Sequence, residues 1–290
     1  MKTGFIGIIG RPNAGKSTFL NAVLEVPLSP VSRKAQTTRN RITGILNRSQ
    51  AQYIFFDTPG ITGMEKPLNR ILNNTARGTL ELSDVVLYFI DSRNFSADPE
   101  LTALFSRSKK PVITVLNKTD AVKKEGLLPI MEKLSGFDFI KEIIPVSALK
   151  KKGLERLLNT IAEYLPESDM LYPEEYVSAN PEKFLIAEAI KGAIFKKTSK
   201  EVPYSCAVYV EKVEEKKNII VAYCTIFTAR ESQKGIIIGK AGAMVKRIGM
   251  KSRADLEELF GKKFFLELYV KTKKNWQKDN NFLRMLGYIE

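Results

Sequence analysis

The sequence predicts two domains in series. The first is an α/β domain with a mostly parallel sheet covered by helices, and the second is a smaller α+β domain. Three observations carry this. Short apolar runs alternate with segments of helical spacing over residues 1–165. A glycine-rich loop ending in Gly15, Lys16 and Ser17 follows the first run. A stretch at 165–181 with Pro166, Pro173 and Pro181, several acids and no Lys or Arg ends the alternation, and a different element order begins after it.

The runs are residues 4–9, 53–56, 85–90, 112–116 and 143–146, each rich in Val, Ile, Phe or Tyr. They are near-continuous rather than alternating, which suits strands buried on both faces. Residues 18–24 and 154–164 have helical spacing. After the proline-rich stretch, Asn180 is expected as an N-cap with Pro181 in the first turn. Ile186, Ile190 and Ile194 then recur at i+4. Strands are expected at 205–213, with Cys206, Val208 and Val210 on one face, and at 219–227. A basic helical region broken by glycines covers roughly residues 231–260. A last strand at 264–270 puts Phe264, Leu266, Leu268 and Val270 on one side. The expected boundaries are 1–167 for the first domain, 168–180 for a linker, and 181–290 for the second domain with its tail.

Composition narrows the chemistry. The 290 residues suit about two domains. With 44% hydrophobic residues the chain can build sizeable cores, so a disordered or fibrous protein is excluded. Histidine is absent, which removes His-based triads, His general bases and His zinc sites. Two cysteines, Cys206 and Cys224, form no C-x-x-C pair; they read as small buried hydrophobes in a reducing compartment. The longest apolar run, 85–90, is far short of the roughly 20 residues that span a bilayer. Residues 5–9 are too short for a signal-peptide core, so a soluble intracellular protein is expected. The net charge of +14, shared by both halves, favours a polyanionic partner such as nucleic acid or an anionic membrane surface.

Gly10, Arg11, Pro12, Asn13, Ala14, Gly15, Lys16 and Ser17 match G-x-x-x-x-G-K-[ST], between an apolar strand and an amphipathic helix. Glycines let the backbone wrap a phosphate, while successive N–H groups and the helix N-terminus supply positive potential. Lys16 would reach the β- and γ-phosphates and the Ser17 hydroxyl would bind Mg²⁺. Asp57, Thr58, Pro59 and Gly60 follow directly on the run at 53–56. An acid there would act on Mg²⁺ through water, and the Gly60 N–H could contact the γ-phosphate.

Asn117, Lys118, Thr119 and Asp120 close the next strand but one. The Asp120 carboxylate can accept from guanine N1–H and the exocyclic amine. Adenine offers neither donor there, so Asp120 would choose the base. The Lys118 stem could cover the base plane and Asn117 tie the loops together, while Ser147 and Ala148 end the following strand with the Ala148 N–H toward guanine O6. In this order, each at a strand C-terminus, the motifs converge on one crevice.

With GRPNAGKST, DTPG, NKTD and SAL in place, the first domain resembles a translation-factor-type P-loop GTPase. That resemblance extends the expected nucleotide contacts to Thr18 and Ile61 and puts catalysis on Lys16, Thr38 and Gly60. It also implies a first switch at 32–39 whose threonine completes Mg²⁺ coordination. Thr38 is assigned because it directly precedes Arg39, with Thr37 as the alternative. Ras-like enzymes carry a water-positioning Gln after D-x-x-G, whereas this chain has Ile61; slow intrinsic hydrolysis is expected. Related GTPases with an Asn in this loop are often stimulated by K⁺, and Asn13 stands at that position.

Gly239, Lys240, Ala241 and Gly242 follow Ile236, Ile237 and Ile238 between two helical segments. A short G-x-x-G loop lets a nucleic-acid backbone approach, and the flanking helix and apolar groove hold about four unstacked bases. Arg230, Lys234, Lys240, Lys246, Arg247, Lys251 and Arg253 would add a salt-dependent phosphate contribution. Val245, Ile248, Leu256 and Leu259 read as core. With its α-β-β-α-α-β order, this half resembles a type II KH domain, and the expected RNA contacts are Ile238, Gly239, Lys240, Ala241, Gly242, Lys246 and Arg247.

A GTPase domain followed by a type II KH domain resembles the bacterial Era family. The likeness includes residues 32–39, Pro203, Tyr204 and Ser205, the G-K-A-G loop, and L-E-L-Y-V-K-x-K from Leu266 with Trp276 beyond. It implies GTP and GDP as ligands, binding to the 3′ end of small-subunit (16S) ribosomal RNA, and assistance in 30S subunit assembly. A monomer, partly peripheral on the inner face of the cell membrane, is also implied. The residues themselves point only to GTP plus single-stranded RNA, with the linker expected to pass the switch to the KH groove. Two rivals stay open. An RNA-modification GTPase would need a further catalytic domain, and none is visible. A non-enzymatic protein could hold GTP as a structural ligand, which Ile61 would allow.

Overall fold

The computed structural model describes residues 1–32, 34, 37–61, 67–95 and 97–289. Arg33, Ala35 and Gln36 of the expected first switch lie outside the described residues. In chain order, the first domain runs β1 (Lys2–Gly10), α1 (Lys16–Leu24), β2 (Ile42–Asn47), β3 (Ala51–Asp57), α2 (Pro67–Leu82) and β4 (Val85–Asp91). It continues α3 (Pro99–Ser106), β5 (Val112–Asn117), α4 (Lys124–Ser135), β6 (Ile140–Pro145) and α5 (Leu154–Tyr164).

The sheet order is β2-β3-β1-β4-β5-β6, with every neighbouring pair parallel except β2–β3. The central runs are apolar throughout because both faces are covered. Phe19 and Leu20 of α1 and Leu157 and Ile161 of α5 pack on one face with Ile6, Ile8 and Phe89. Ala76 of α2, Leu101 and Phe105 of α3 and Leu134 of α4 pack on the other, with Ile9, Val86 and Leu116. All the phosphate- and base-binding motifs therefore leave the same edge of the sheet, where parallel strands end.

β2 is absent from the sequence reading. Its glycine explains why it fits. A Cβ at Gly44 would stand 2.7 Å from Leu24 and 2.8 Å from Leu20, so α1 lies directly on this edge strand. The proline-rich stretch is tied to the same edge. The Ile45 N–H donates to the Val177 carbonyl at 2.8 Å, and Ser178 Oγ donates to the Thr43 carbonyl at 2.6 Å. Gln52 Oε1 accepts from the N–H groups of Leu171 and Tyr172. Asn180 is not a cap. Its Oδ1 accepts the Thr43 N–H at 2.6 Å, and the next helix starts with Pro181 at the cap position and no side-chain cap bond. A tertiary partner has taken the oxygen that a local reading gives to the helix.

The second domain runs α6 (Glu182–Lys197), β7 (Cys206–Lys216), β8 (Ile219–Thr228), α7 (Glu231–Ile238), α8 (Ala243–Phe260), β9 (Lys263–Thr272) and α9 (Asn280–Met285). β7 and β8 are antiparallel, and β9 joins β8 in parallel. Ile186, Ile190 and Ile194 of α6 pack with Val208, Cys224, Ile248, Leu256 and Phe264 in one core. Burial pushes the thiols of Cys206 and Cys224 up to about 12, so both stay neutral. Trp276 is fully buried and its indole N–H donates to the Ser205 carbonyl at 2.8 Å. It packs with Phe282, Leu283 and Tyr288, and Ile71 of α2 rests on this cluster. Among the described residues, no helix is long and apolar enough to cross a membrane.

Candidate nucleotide site and nucleic-acid loop

The phosphate loop is held open by backbone geometry that only glycine supplies at Gly15. Its φ is +98°, and a Cβ there would stand 2.1 Å from Asn117 Nδ2. Lys16 folds back over the loop, with Nζ donating to the carbonyls of Gly10 at 3.1 Å and Arg11 at 3.0 Å. Burial pulls its pKa down to about 8, and Asp57 offsets only part of that. Gly60 presses against the loop from the other side: a Cβ there would lie 2.5 Å from the Pro12 nitrogen.

Ser17, Thr38 and Asp57 come together. Ser17 Oγ donates to Asp57 Oδ2 at 2.6 Å and lies 3.0 Å from Thr38 Oγ1. Ser29 Oγ donates to the same carboxylate oxygen at 2.6 Å. Asp57 is fully buried, and its other oxygen, Oδ1, has no hydrogen-bond partner. Burial raises its pKa against the opposing pull of Lys16, Ser17 and Ser29. A buried carboxylate with an orphaned oxygen beside two hydroxyls is the donor set of a hard cation such as Mg²⁺. Thr37 turns away, donating from Oγ1 to the Lys34 carbonyl at 2.9 Å. Ser29 escapes a sequence reading because no motif marks it; it meets Asp57 only in the fold.

Three expected contacts change character. Ile61 places its side chain in the core against α2 and α3, and only its N–H meets the loop, at the Gly10 carbonyl. Arg11 directs its guanidinium to Asp98, the N-cap of α3. The Ala148 N–H, expected at guanine O6, donates to Asn117 Oδ1 at 3.0 Å, so a base oxygen would share or displace that bond. Ala14 and Pro59 are buried, and Thr58 Oγ1 donates to the Ile8 carbonyl at 2.7 Å. The Thr119 N–H donates to the Val146 carbonyl.

The base end is a cavity of about 600 Å³ lined by Asn13, Thr18, Lys118, Asp120 and Ala148 with their neighbours. Asn117 ties two loops, donating from Nδ2 to the Ala14 carbonyl at 2.8 Å while accepting from Ala148. Lys118 Nζ donates to the Asn13 carbonyl, which lays its stem across the pocket wall. Asp120 Oδ1 accepts from Ser147 Oγ.

In the second domain, Gly239 stands at φ +73°, Ala241 at +48° and Gly242 at +77°. A Cβ at Gly239 would lie 2.8 Å from the Met244 nitrogen, so the turn between α7 and α8 needs glycine there. Lys240, Lys246 and Arg247 are exposed, as are the apolar Ile236 and Met250; Ile238 and Val245 are half-buried. Cations beside apolar surface suit a backbone with unstacked bases.

Residues 5–118 match the model of a 50S ribosome-binding GTPase, and residues 201–277 match the KH domain. The GTPase Era of Syntrophus aciditrophicus is 45% identical over 293 residues, covering all of this chain and 96% of its own. The chain belongs to the Era family of GTPases. The GTPase Era of Staphylococcus haemolyticus is 39% identical and covers all of this chain. Two solved Era structures superpose over the full length of both chains at 37% identity. One is an Aquifex aeolicus Era variant bound to GDP·AlF₄⁻, with a TM-score of 0.94. The other holds MgGDPNP and nucleotides 1506–1542 of 16S ribosomal RNA, with a TM-score of 0.93.

In this Era-family chain, residues between the phosphate-loop helix and β2 contact the KH domain. Arg39 is buried. It donates from Nη1 to the Cys206 carbonyl at 2.9 Å and from Nη2 to the Pro203 carbonyl at 3.1 Å, over the ring of Phe195. Asn40 Nδ2 donates to Glu188 Oε1 at 3.1 Å, and Glu188 pairs with buried Lys191. Lys34 Nζ donates to the carbonyls of Phe195 and Thr198 at the end of α6. The two domains are thus joined through Lys34, Arg39 and Asn40 as well as through the chain at 168–180.

Proposed function

We propose that this chain is a GTP-hydrolysing switch that binds the 3′ end of 16S ribosomal RNA and assists assembly of the 30S subunit. The observation that carries this is the meeting of Ser17, Thr38 and Asp57 at one end of a crevice whose other end presents Asp120. The RNA is supported by the Era structure that contains a 16S fragment.

The loop N–H groups and the start of α1 hold the phosphates, and Lys16 transfers its ammonium from the Gly10 and Arg11 carbonyls to the β- and γ-phosphates. Ser17 and Thr38 would hold Mg²⁺ directly and Asp57 through water; the ion neutralises charge on the transferring phosphoryl group. The Gly60 N–H meets the γ-phosphate, and Asp120 reads the guanine edge. Ile61, committed to the core, leaves water positioning to another group, so intrinsic hydrolysis is slow. Lys16, Thr38 and Gly60 are the catalytic set of this reading. Thr38 binds when the γ-phosphate is present, and its neighbour Arg39 carries that state to the KH domain.

We also place the domain boundaries at residues 167 and 181, K⁺ beside Asn13, and the protein in the cytoplasm as a monomer. The net charge of +14 supports peripheral contact with an anionic membrane face. The test is an acidic double substitution, Lys240→Asp with Ala241→Asp, titrated with a 3′-terminal 16S oligoribonucleotide and with GDP. Loss of RNA affinity by at least 100-fold with GDP affinity retained is expected. Retained RNA affinity overturns the KH assignment.

A further inference from the structure

The base-reading loop is clamped by the end of the neighbouring strand. β4 ends at Asp91, which lies opposite Asn117 in the β4–β5 register. Asp91 Oδ2 accepts from Lys118 Nζ at 2.7 Å. Ser92 donates twice to the Asn117 carbonyl, from its N–H at 3.0 Å and from Oγ at 2.6 Å. Arg93 also holds the carboxylate, donating from Nε to Oδ1 at 2.9 Å and from Nη2 to Oδ2 at 2.7 Å. Lys118 itself stands at φ +66°, a left-handed conformation that non-glycine residues adopt only where surroundings impose it.

We propose that Asp91 is a positioning residue for guanine binding, anchoring the Lys118 ammonium so that the aliphatic stem lies across the purine plane. This rests on the base-pocket reading given under Proposed function. A lysine stem has four rotatable bonds and a strongly hydrated head, so an untethered one samples many rotamers and covers a base poorly. Here the head is fixed at two points, the Asn13 carbonyl and Asp91. Between them the stem passes over the phosphate loop; a Cβ at Gly15 would lie 3.9 Å from Lys118 Cε. Burial pushes the Asp91 carboxyl up, but the hydrogen bonds from Arg93 and Lys118 outweigh it and hold the group down to about 2. The anchor is therefore charged throughout the working pH range. Asp91 acts on the face of the base through Lys118, whereas Asp120 acts on its edge. Losing Asp91 should weaken every purine nucleotide of the same ring shape by one factor and leave edge discrimination intact.

The test compares wild type, Asp91→Asn, Lys118→Met and the double variant in binding GDP and IDP, which lacks the exocyclic amine. Asp91→Asn is expected to raise Kd for both about tenfold, or about 1.4 kcal/mol, with the GDP-to-IDP ratio unchanged. KM for GTP should rise by a similar factor at constant kcat. Added to Lys118→Met, it should cost less than a further twofold. Thermal melting of the nucleotide-free variant checks its fold, and Asp91→Ser repeats the cycle if Asp91→Asn does not fold. Wild-type affinity in Asp91→Asn, or full additivity with Lys118→Met, overturns the proposal. A wild-type protein that binds no guanine nucleotide would instead overturn the functional reading.

Discussion

Arg39 Nη1 lies 2.9 Å from the Cys206 carbonyl, so a side chain of the segment expected to be the first switch is anchored inside the other domain. The preceding residue, Thr38, is 3.0 Å from Ser17 at the phosphate end. Adjacent positions thus face Ser17 and the KH core. The guanidinium is buried, and its two carbonyl partners lie in the short turn Pro203–Ser205 and at the start of β7.

Replacing Arg39 by Ala removes the donor from two carbonyls beside a buried side chain. We expect a loss of about 2 kcal/mol or more in stability, measured by urea denaturation. The difference in RNA affinity between GTP-analogue and GDP states should shrink toward none. Arg39→Lys should recover little, because a single ammonium cannot reproduce the two-pronged fork. An Arg39→Ala protein that keeps the full nucleotide response would show that the coupling runs elsewhere.

Glu188 and Lys191 form a buried pair at the same interface, with Asn40 bonded to the carboxylate. Burial alone would lower the Lys191 pKa, but Glu188 and Tyr288 outweigh it and hold the amine above its usual range. Glu188→Gln leaves that ammonium buried without its counter-charge. A loss of about 3 kcal/mol is expected, and a double variant with Lys191→Met should be less destabilised than Glu188→Gln alone. Wild-type stability in Glu188→Gln would contradict this.

Lys16 links nucleotide binding to protons. Its folded pKa of about 8 lies below the unfolded value of 10.5, so between these limits the folded protein binds fewer protons. In nucleotide-free protein its share of stability therefore rises with pH across that window. A bound phosphate restores the ammonium. Calorimetry at pH 8 in two buffers of different ionisation enthalpy should show uptake of about half a proton per GDP bound, falling toward none at pH 6.5. Buffer-independent heats at pH 8 would exclude this linkage.

Asp120→Asn exchanges an acceptor for a donor at the base edge. Preference should move from guanosine to xanthosine nucleotides, whose C2 oxygen accepts from the new amide. Competition binding with GDP and XDP reads this directly, and unchanged selectivity would remove Asp120 from base reading.

The motif-bearing strands β1, β3 and β5 were legible because both their faces are buried, which leaves a near-unbroken apolar signature; β6, with Lys141 exposed, begins three residues before the expected run. β2 was not legible. It is an edge strand with Gly44 in its middle, and its fit depends on Leu20 and Leu24 from a helix some 20 residues earlier in the chain. Asn180 next to Pro181 is a local cap signal, overridden by the Thr43 N–H from the sheet edge. The meeting of Ser17, Thr38 and Asp57 was legible from their motifs; Ser29 was not, because only folding brings it to Asp57. The same limit hid the partners of Arg39, which lie 164 and 167 residues away.

The most direct measurement is the affinity of the intact chain for a 3′-terminal 16S oligoribonucleotide, once with GDP and once with a non-hydrolysable GTP analogue, both with Mg²⁺. At least tenfold tighter RNA binding with the GTP analogue is expected. Equal affinities in the two states would contradict a switch that joins the nucleotide crevice to the KH loop.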